Sequence, residues 1–239
     1  MKVDQIRENI RFNKSKLSIL LSRSYLIRRE ILKSSIKFSE KAYGSVLDFG
    51  CGTKPYQYLF QHCDSYVGVD YENDAIEREA RNVDVLYDGV NLPFANSSFD
   101  CILAFEVFEH IPNIDHIITE LHRTLKSGGH FFATAPFLFP AHETPQDFQR
   151  FTEWKWRAIL ENAGFVDIAV KTRPSDFTSI VQLNLMYIVS RFNPWNNGII
   201  EILLSPLIFL FNCVGIIGWH EAKLVGTFPL SIEIRSTKI

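Results

Sequence analysis

The residues of this chain best placed to do chemistry are acids and glycines at the ends of short apolar runs. Val46-Leu47-Asp48-Phe49 leads into Gly50-Cys51-Gly52, with Pro55 three residues on. A glycine pair lets the backbone turn sharply and lets a ligand approach the main chain, and Pro55 suits the first turn of a helix. Tyr66-Val67-Gly68-Val69 then ends in Asp70. That acid lies about 20 residues past the glycines, the spacing at which a carboxylate meets a ribose diol. The third glycine of a dinucleotide fingerprint would fall at Pro55, which argues against a nicotinamide or flavin dinucleotide.

A second group carries imidazoles. His110 follows Glu109, and the run His142-Glu143-Thr144-Pro145-Gln146-Asp147-Phe148-Gln149-Arg150-Phe151-Thr152 is dense in His, Asp and Arg. A neutral imidazole in a crevice can take a proton near pH 7. His110, His142, Asp147 and Arg150 are therefore the candidates for work on a second substrate. Asp147 and Arg150 could equally form an ion pair that only shapes the loop. His142, Glu143 and Asp147 could hold a divalent ion, but their spacing is not diagnostic, and we expect no metal site. Cys51, Cys63, Cys101 and Cys213 lack C-x-x-C spacing and read as reduced thiols of a cytosolic protein.

These residues must be positioned by alternating elements. The pattern predicts strands near 46–50, 66–70, 83–87, 99–105, 130–135 and 166–172. Helices are expected near 55–62, 73–81, 113–126 and 153–163. That order predicts an α/β, doubly wound, mostly parallel sheet, in which ligands bind outside the carboxyl ends of the strands. Asp48, Asp70, Asp88 and Phe105 all fall at strand ends and should converge on one crevice. Residues 3–41 show helical spacing and predict one or two helices. Leu224–Ile234 alternates and reads as a last strand.

Together these blocks resemble motif I and its acidic partner in class I S-adenosylmethionine-dependent methyltransferases, of the methyltransferase type 11-like group. Asp88-Gly89-Val90-Asn91-Leu92-Pro93-Phe94 resembles that family's D-x-x-x-LPF segment, whose acid faces the adenine. Phe99 to Ile111 resembles its fourth strand and the following loop, and Leu125-Lys126-Ser127-Gly128-Gly129 its LKPGG turn. The resemblance covers roughly residues 44–172. It implies a seven-stranded Rossmann-like fold, S-adenosyl-L-methionine as cofactor and methyl transfer as the activity. It also implies that Gly50, Cys51 and Gly52 pass the methionine portion, and that Asp48 supports that loop or the cofactor ammonium. Asp70 would bind both ribose hydroxyls, Tyr71 pack on the adenine, Asp88 and Gly89 meet the adenine amino group, and Phe105 and Glu106 line the methyl end. Lys54 departs from the family, standing where many relatives have a third glycine. The run from His142 resembles an H-x-x-P-x-D-x-x-R-x-T segment of a subset of these enzymes.

The acceptor is less legible. Net charge is only −2, but residues 1–43 carry +7 and the remainder −9. The Pro-Pro-Tyr type tetrad of nucleic-acid methyltransferases is missing after the fourth strand, so we expect no nucleic-acid partner. Residues 1–43 read as a basic helical extension and 44–239 as the methyltransferase domain, with an apolar insertion at 175–223. Ile199–Trp219 has Glu201 as its only charge. At 18 residues, 202–219 is borderline for a membrane span, and Pro206, Asn212, Gly215 and Gly218 interrupt it. We expect two helices that lie in a membrane interface, pack on each other or meet a partner subunit. The expected acceptor is a small molecule or a lipid-linked or saccharide-type compound. Peripheral contact with the inner membrane face is one expectation and a homodimer another. The alternative is a non-catalytic cofactor-binding partner of another methyltransferase.

Overall fold

The computed structural model describes residues 3–71, 82–173, 176–193, 197–221 and 228–239. In order, the elements are α1 (Val3–Arg11), α2 (Ser18–Leu21), α3 (Tyr25–Ser39), β1 (Ser45–Phe49), β2 (Ser65–Tyr71), β3 (Val85–Tyr87) and β4 (Phe99–Phe105). Then come α4 (Ile114–Thr124), β5 (Leu125–Pro136), α5 (Glu153–Asn162), β6 (Phe165–Arg173), α6 (Asp176–Phe192), α7 (Gly198–Glu221) and β7 (Ser231–Lys238). Short 3-10 turns at Gln57–Leu59 and Phe108–His110 follow β1 and β4.

The seven strands form one sheet in the order β3-β2-β1-β4-β5-β7-β6. Strands β1 to β5 pair in parallel, and register sets Phe49 beside Val69 and Ala104, and Tyr71 beside Tyr87. The carboxyl ends of β1 to β4 therefore share one sheet edge, as the alternation predicts. Lys238 Nζ donates to the Leu125 carbonyl and Thr237 Oγ1 to Asp167. The end of β7 thus lies by the starts of β5 and β6, so β7 runs against them. Burial explains the helices. Ile114, Ile117, Ile118 and Leu121 of α4 repeat at helical spacing and are buried with Trp156, Ile159 and Leu160 of α5 and the β1, β4 and β5 side chains.

Several boundaries differ from expectation. Of the helix expected over 55–62, only the 3-10 turn at Gln57–Leu59 forms. The helix expected at 113–126 stops at Thr124, where Leu125 turns extended and pairs with Phe99. The last strand begins at Ser231, and residues 224–227 of the expected strand lie outside the described residues, as does the expected helix 73–81.

The chain forms two compact units. One comprises residues 34–171 with 232–239 and holds most of the sheet. The other comprises 1–33 with 172–231, so the N-terminal helices and the apolar insertion share a unit. In it α6 and α7 pack on each other through Leu185, Val189 and Ile208. The expected interruption at Pro206 does not occur, and α7 runs unbroken through it. Gly215 and Gly218 instead let neighbours approach the helix: a Cβ at either would collide with Leu26 or Phe177.

Two buried amides on these helices satisfy helix ends that the chain formed much earlier. Gln182 Oε1 accepts from the Leu26 and Ile27 amides in the first turn of α3, and its Nε2 donates to the Arg23 carbonyl. Asn212 Nδ2 donates to the Ile19 and Ser22 carbonyls at the end of α2. A buried backbone group left unpaired costs about 1–3 kcal/mol. Gln182→Leu should therefore lower the stability of this unit by about 3 kcal/mol, read by urea unfolding. Asn184→Leu, at an exposed position on the same helix, should leave it near wild type.

Candidate functional site

The loop after β1 is built from backbone, not side chains. Gly50 has φ 67°, and a Cβ there would meet Val107 Cγ2 at 2.1 Å. Gly52 has φ 50°, and its Cβ direction opens into free space. The Gly50 and Cys51 amides donate to the Val69 carbonyl, and the Gly52 amide donates to Asp70 Oδ2 at 2.9 Å. The Cys51 side chain turns inward: it is buried against Gly68, and burial pushes its thiol well above the ordinary range. Only its backbone borders the loop.

Lys54 supplies what its replacement of glycine put in question. It adopts the left-handed conformation that a glycine would take, and its ammonium is buried in an ion pair with Asp84. Asp84 also accepts the Gly68 amide at 2.7 Å. The Lys54 stem crosses Gly68, where an added Cβ would lie 2.3 Å from Lys54 Cε. Sequence reasoning missed Asp84 and Gly68 as parts of this loop. The only signal was the unexplained lysine.

Asp48 is 4% exposed and accepts from the Tyr66 hydroxyl at 2.6 Å. Burial raises its carboxyl most, the Tyr66 bond opposes this and Asp70 adds to it, giving about 7. This placement suits support of the loop. Asp70, half-buried at the end of β2, also accepts the Tyr71 amide. The Tyr71 ring lies over Gly89, whose φ is 83° and whose Cβ would fall 2.6 Å from Tyr71 Cε2. Asp88 is exposed and accepts the Val90 and Asn91 amides, which hold its carboxyl below the usual range. At the end of β4, Phe105 stacks near Phe38 and meets Tyr56 edge-on. Glu106 takes φ 53° and its amide donates to the Thr134 carbonyl.

The imidazole group forms beside this edge. His110 and His142 meet with ring centroids 5.0 Å apart, and each directs Nε2 toward Glu109 Oε1, at 3.7 and 3.6 Å. The Glu109 carboxylate raises the His142 pKa, against the effect of burial. Asp147 and Arg150 form a bidentate pair, and Asp147 also accepts the His142 amide. Arg150 holds the Asp147 carboxyl down to about 2. With both oxygens engaged and its side chain 3% exposed, Asp147 holds the His142 backbone and pairs with Arg150. Gln149 Nε2 donates to the Phe108 and Ile111 carbonyls, tying the run to the turn after β4.

The sheet order and the glycine-lined edge are those of a class I methyltransferase. Residues 47–133 match the family model described as a methyltransferase domain. A 96-residue stretch is 33% identical to methyltransferase GfsG of Streptomyces halstedii, covering 35% of this chain and 34% of that one. A 98-residue stretch is 33% identical to fatty-acid O-methyltransferase of Mycolicibacterium smegmatis, covering 37% and 36%. Among solved structures, Haemonchus contortus phosphoethanolamine N-methyltransferase 2 with phosphomonomethylethanolamine and S-adenosylhomocysteine superimposes with a TM-score of 0.57 at 18% identity. That superposition covers 88% of this chain and 52% of that one. The chain spans between 26% and 61% of the length of the curated relatives it matches. The Cβ direction of Gly52 is open and lies beside the Asp70 carboxylate, which takes the Gly52 amide.

Two outcomes test the loop. Gly68→Ala should displace Lys54 and weaken S-adenosylmethionine binding about tenfold or more, a loss of about 1.4 kcal/mol, read by calorimetry. Asp48 supplies a pH signature. Its folded pKa lies above its unfolded value of about 4, so ionising it costs stability progressively as pH rises from about 4 to about 7, and no further above. Asp48→Asn removes that titration while keeping an oxygen for Tyr66. The melting temperature of the variant should therefore gain on wild type between pH 4 and 7 and then run parallel to it.

Proposed function

We propose that the protein transfers the methyl group of S-adenosyl-L-methionine to a small-molecule or lipid-linked acceptor, working in the cytoplasm as a peripheral protein at the inner face of the membrane. The observation that carries the membrane part is α7. Gly198–Gly218 is long and apolar enough to cross a membrane, yet only 17% of its most apolar window is buried within the chain. Ile202, Leu203, Leu210 and Ile217 are each more than half exposed. The same helix is held to α2 by Asn212 and approached by Leu26 of α3. One face held to the N-terminal helices and one apolar face exposed is the pattern of a helix lying in an interface. A cleft of about 430 Å³ in this unit is lined by Lys14, Lys16 and Arg29 together with Ile19, Tyr25 and Leu32, a composition that suits an anionic headgroup.

Methyl transfer is an in-line displacement, so holding donor and nucleophile in line supplies much of the acceleration. S-adenosylmethionine supplies the electrophilic methyl on its sulfonium. Gly50 and Gly52 present backbone to the methionine portion, Asp70 takes the ribose hydroxyls, and Tyr71, Asp88 and Gly89 surround the adenine. Phe105 and Glu106 border the methyl, while His110 and His142 stand on the acceptor side, with Asp147 and Arg150 fixing their loop. A relative named for fatty acids, matched over 98 residues, supports a lipid acceptor. The retention of Asp48, Gly50, Gly52, Asp70 and Asp88 weighs against a non-catalytic partner subunit.

The test combines two measurements on the purified chain. With methyl-labelled S-adenosylmethionine and fractionated lysate, label should enter the organic extract, and Asp70→Ala should weaken cofactor binding about 10- to 100-fold by removing charge-assisted hydrogen bonds. Vesicles containing anionic phospholipid should sediment the protein at low salt, and Ile202→Glu with Leu203→Glu should release it. Label confined to the aqueous fraction would overturn the lipid acceptor. A stable detergent-free dimer that ignores vesicles would assign the apolar face to a second copy of the chain.

A further inference from the structure

Glu109 is 2% exposed, and neither of its carboxylate oxygens has a hydrogen-bond partner. A buried carboxylate in that condition needs a compensating charge close by. What faces it is two imidazoles, and their hydrogen bonds decide which ring nitrogen points inward. His110 Nδ1 lies 2.7 Å from the Gln146 carbonyl. A carbonyl can only accept, so Nδ1 carries the hydrogen. His142 Nδ1 lies 3.3 Å from the Pro140 carbonyl and 3.4 Å from Asp147 Oδ2, and both of those are also acceptors. In each neutral ring Nε2 is then a lone pair, and both lone pairs are aimed at Glu109 Oε1. With both rings neutral, three acceptors converge on one point, and only a cation there, a proton on an imidazole or a metal ion, relieves them.

The distances distinguish what belongs there. At 3.6 and 3.7 Å the Nε2 to Oε1 separations exceed the 2.7–2.9 Å or so of a charge-assisted hydrogen bond. Ligands held at about 2.1 Å around a tetrahedral metal stand about 3.4 Å from one another. The three ligand atoms here all lie within 4.8 Å of one another. Each imidazole also has its outer nitrogen bonded to the chain, the arrangement that orients metal-bound histidines. Glu143 Oε2 stands 3.8 Å from His110 Nε2 on a largely exposed side chain, within reach of a fourth position.

From this geometry we propose that Glu109, His110 and His142 bind a divalent transition-metal ion of the class that prefers imidazole with carboxylate, zinc being the representative member. The site differs from the set weighed from sequence. Asp147 is excluded because Arg150 and the His142 amide occupy it, and Glu109 takes the carboxylate role. The partly exposed imidazoles leave a route for an ion to enter and leave coordination positions for water or an oxygen ligand.

The full-length chain, stripped with chelator, should bind one equivalent of zinc by calorimetry and show cobalt d–d absorption without a sulfur charge-transfer band. Zinc should raise its melting temperature. His142→Asn, at a partly exposed position, should remain folded by circular dichroism, weaken zinc binding about 100-fold and abolish the thermal shift. Glu109→Gln should do the same wherever it folds. Absence of zinc and cobalt binding in the wild type would overturn the proposal. So would equal affinity in His142→Asn or a sulfur charge-transfer band.

Discussion

The structure depends on the way the backbone leaves β1. Between Phe49 and Pro55 the chain must turn off the sheet edge while leaving space above it, and it does so with left-handed residues at 50, 52 and 54. Two of these are glycines. The third is a lysine, whose conformation costs about 1–2 kcal/mol relative to a right-handed one. The cost is offset by where the side chain goes. Lys54 crosses Gly68, where only a glycine leaves room, and reaches Asp84, which also fixes the Gly68 amide. The loop is thus held from below by a cation and from its outer side by Asp70, which takes the Gly52 amide. A glycine at 54 would make the turn easily but would bring no anchor.

The other wall is fixed by different means. The turn after β4 and the long run after β5 are far apart in sequence, yet they behave as one piece. The Phe148 amide donates to the Glu109 carbonyl, Gln149 spans two carbonyls of the turn, and the Arg150–Asp147 pair closes the run on itself. Bidentate pairing fixes orientation as well as distance, so the imidazole of His142 is held by its neighbours on both sides.

Much of this was legible because it is local. Each strand from β1 to β4 announces itself by a short apolar run with an acid or a glycine at its end, and parallel pairing then brings those ends to one edge. Lys54 was visible only as a departure, since a partner 30 residues away across an intervening strand leaves no periodic trace. The approach of Glu109 to His142 was hidden for the same reason: α4 and β5 lie between them. The opposite failure occurred at Pro206, Gly215 and Gly218. These look like breakers in sequence, but one lost hydrogen bond does not end a helix packed along its length, and the glycines serve the packing.

The two amide caps have a consequence for the order in which the chain is made. Gln182 serves residues 155 and 156 positions earlier, and Asn212 serves residues 190 and 193 positions earlier. Ribosomes deliver the N-terminal end first, at about 5–20 residues per second. The basic helices of the first 33 residues therefore emerge many seconds before the side chains that close their ends. Contacts this remote in sequence form late. During that interval strands β1 to β5 can pair, while the sheet still lacks β7 and the N-terminal helices still lack the amides that close their ends.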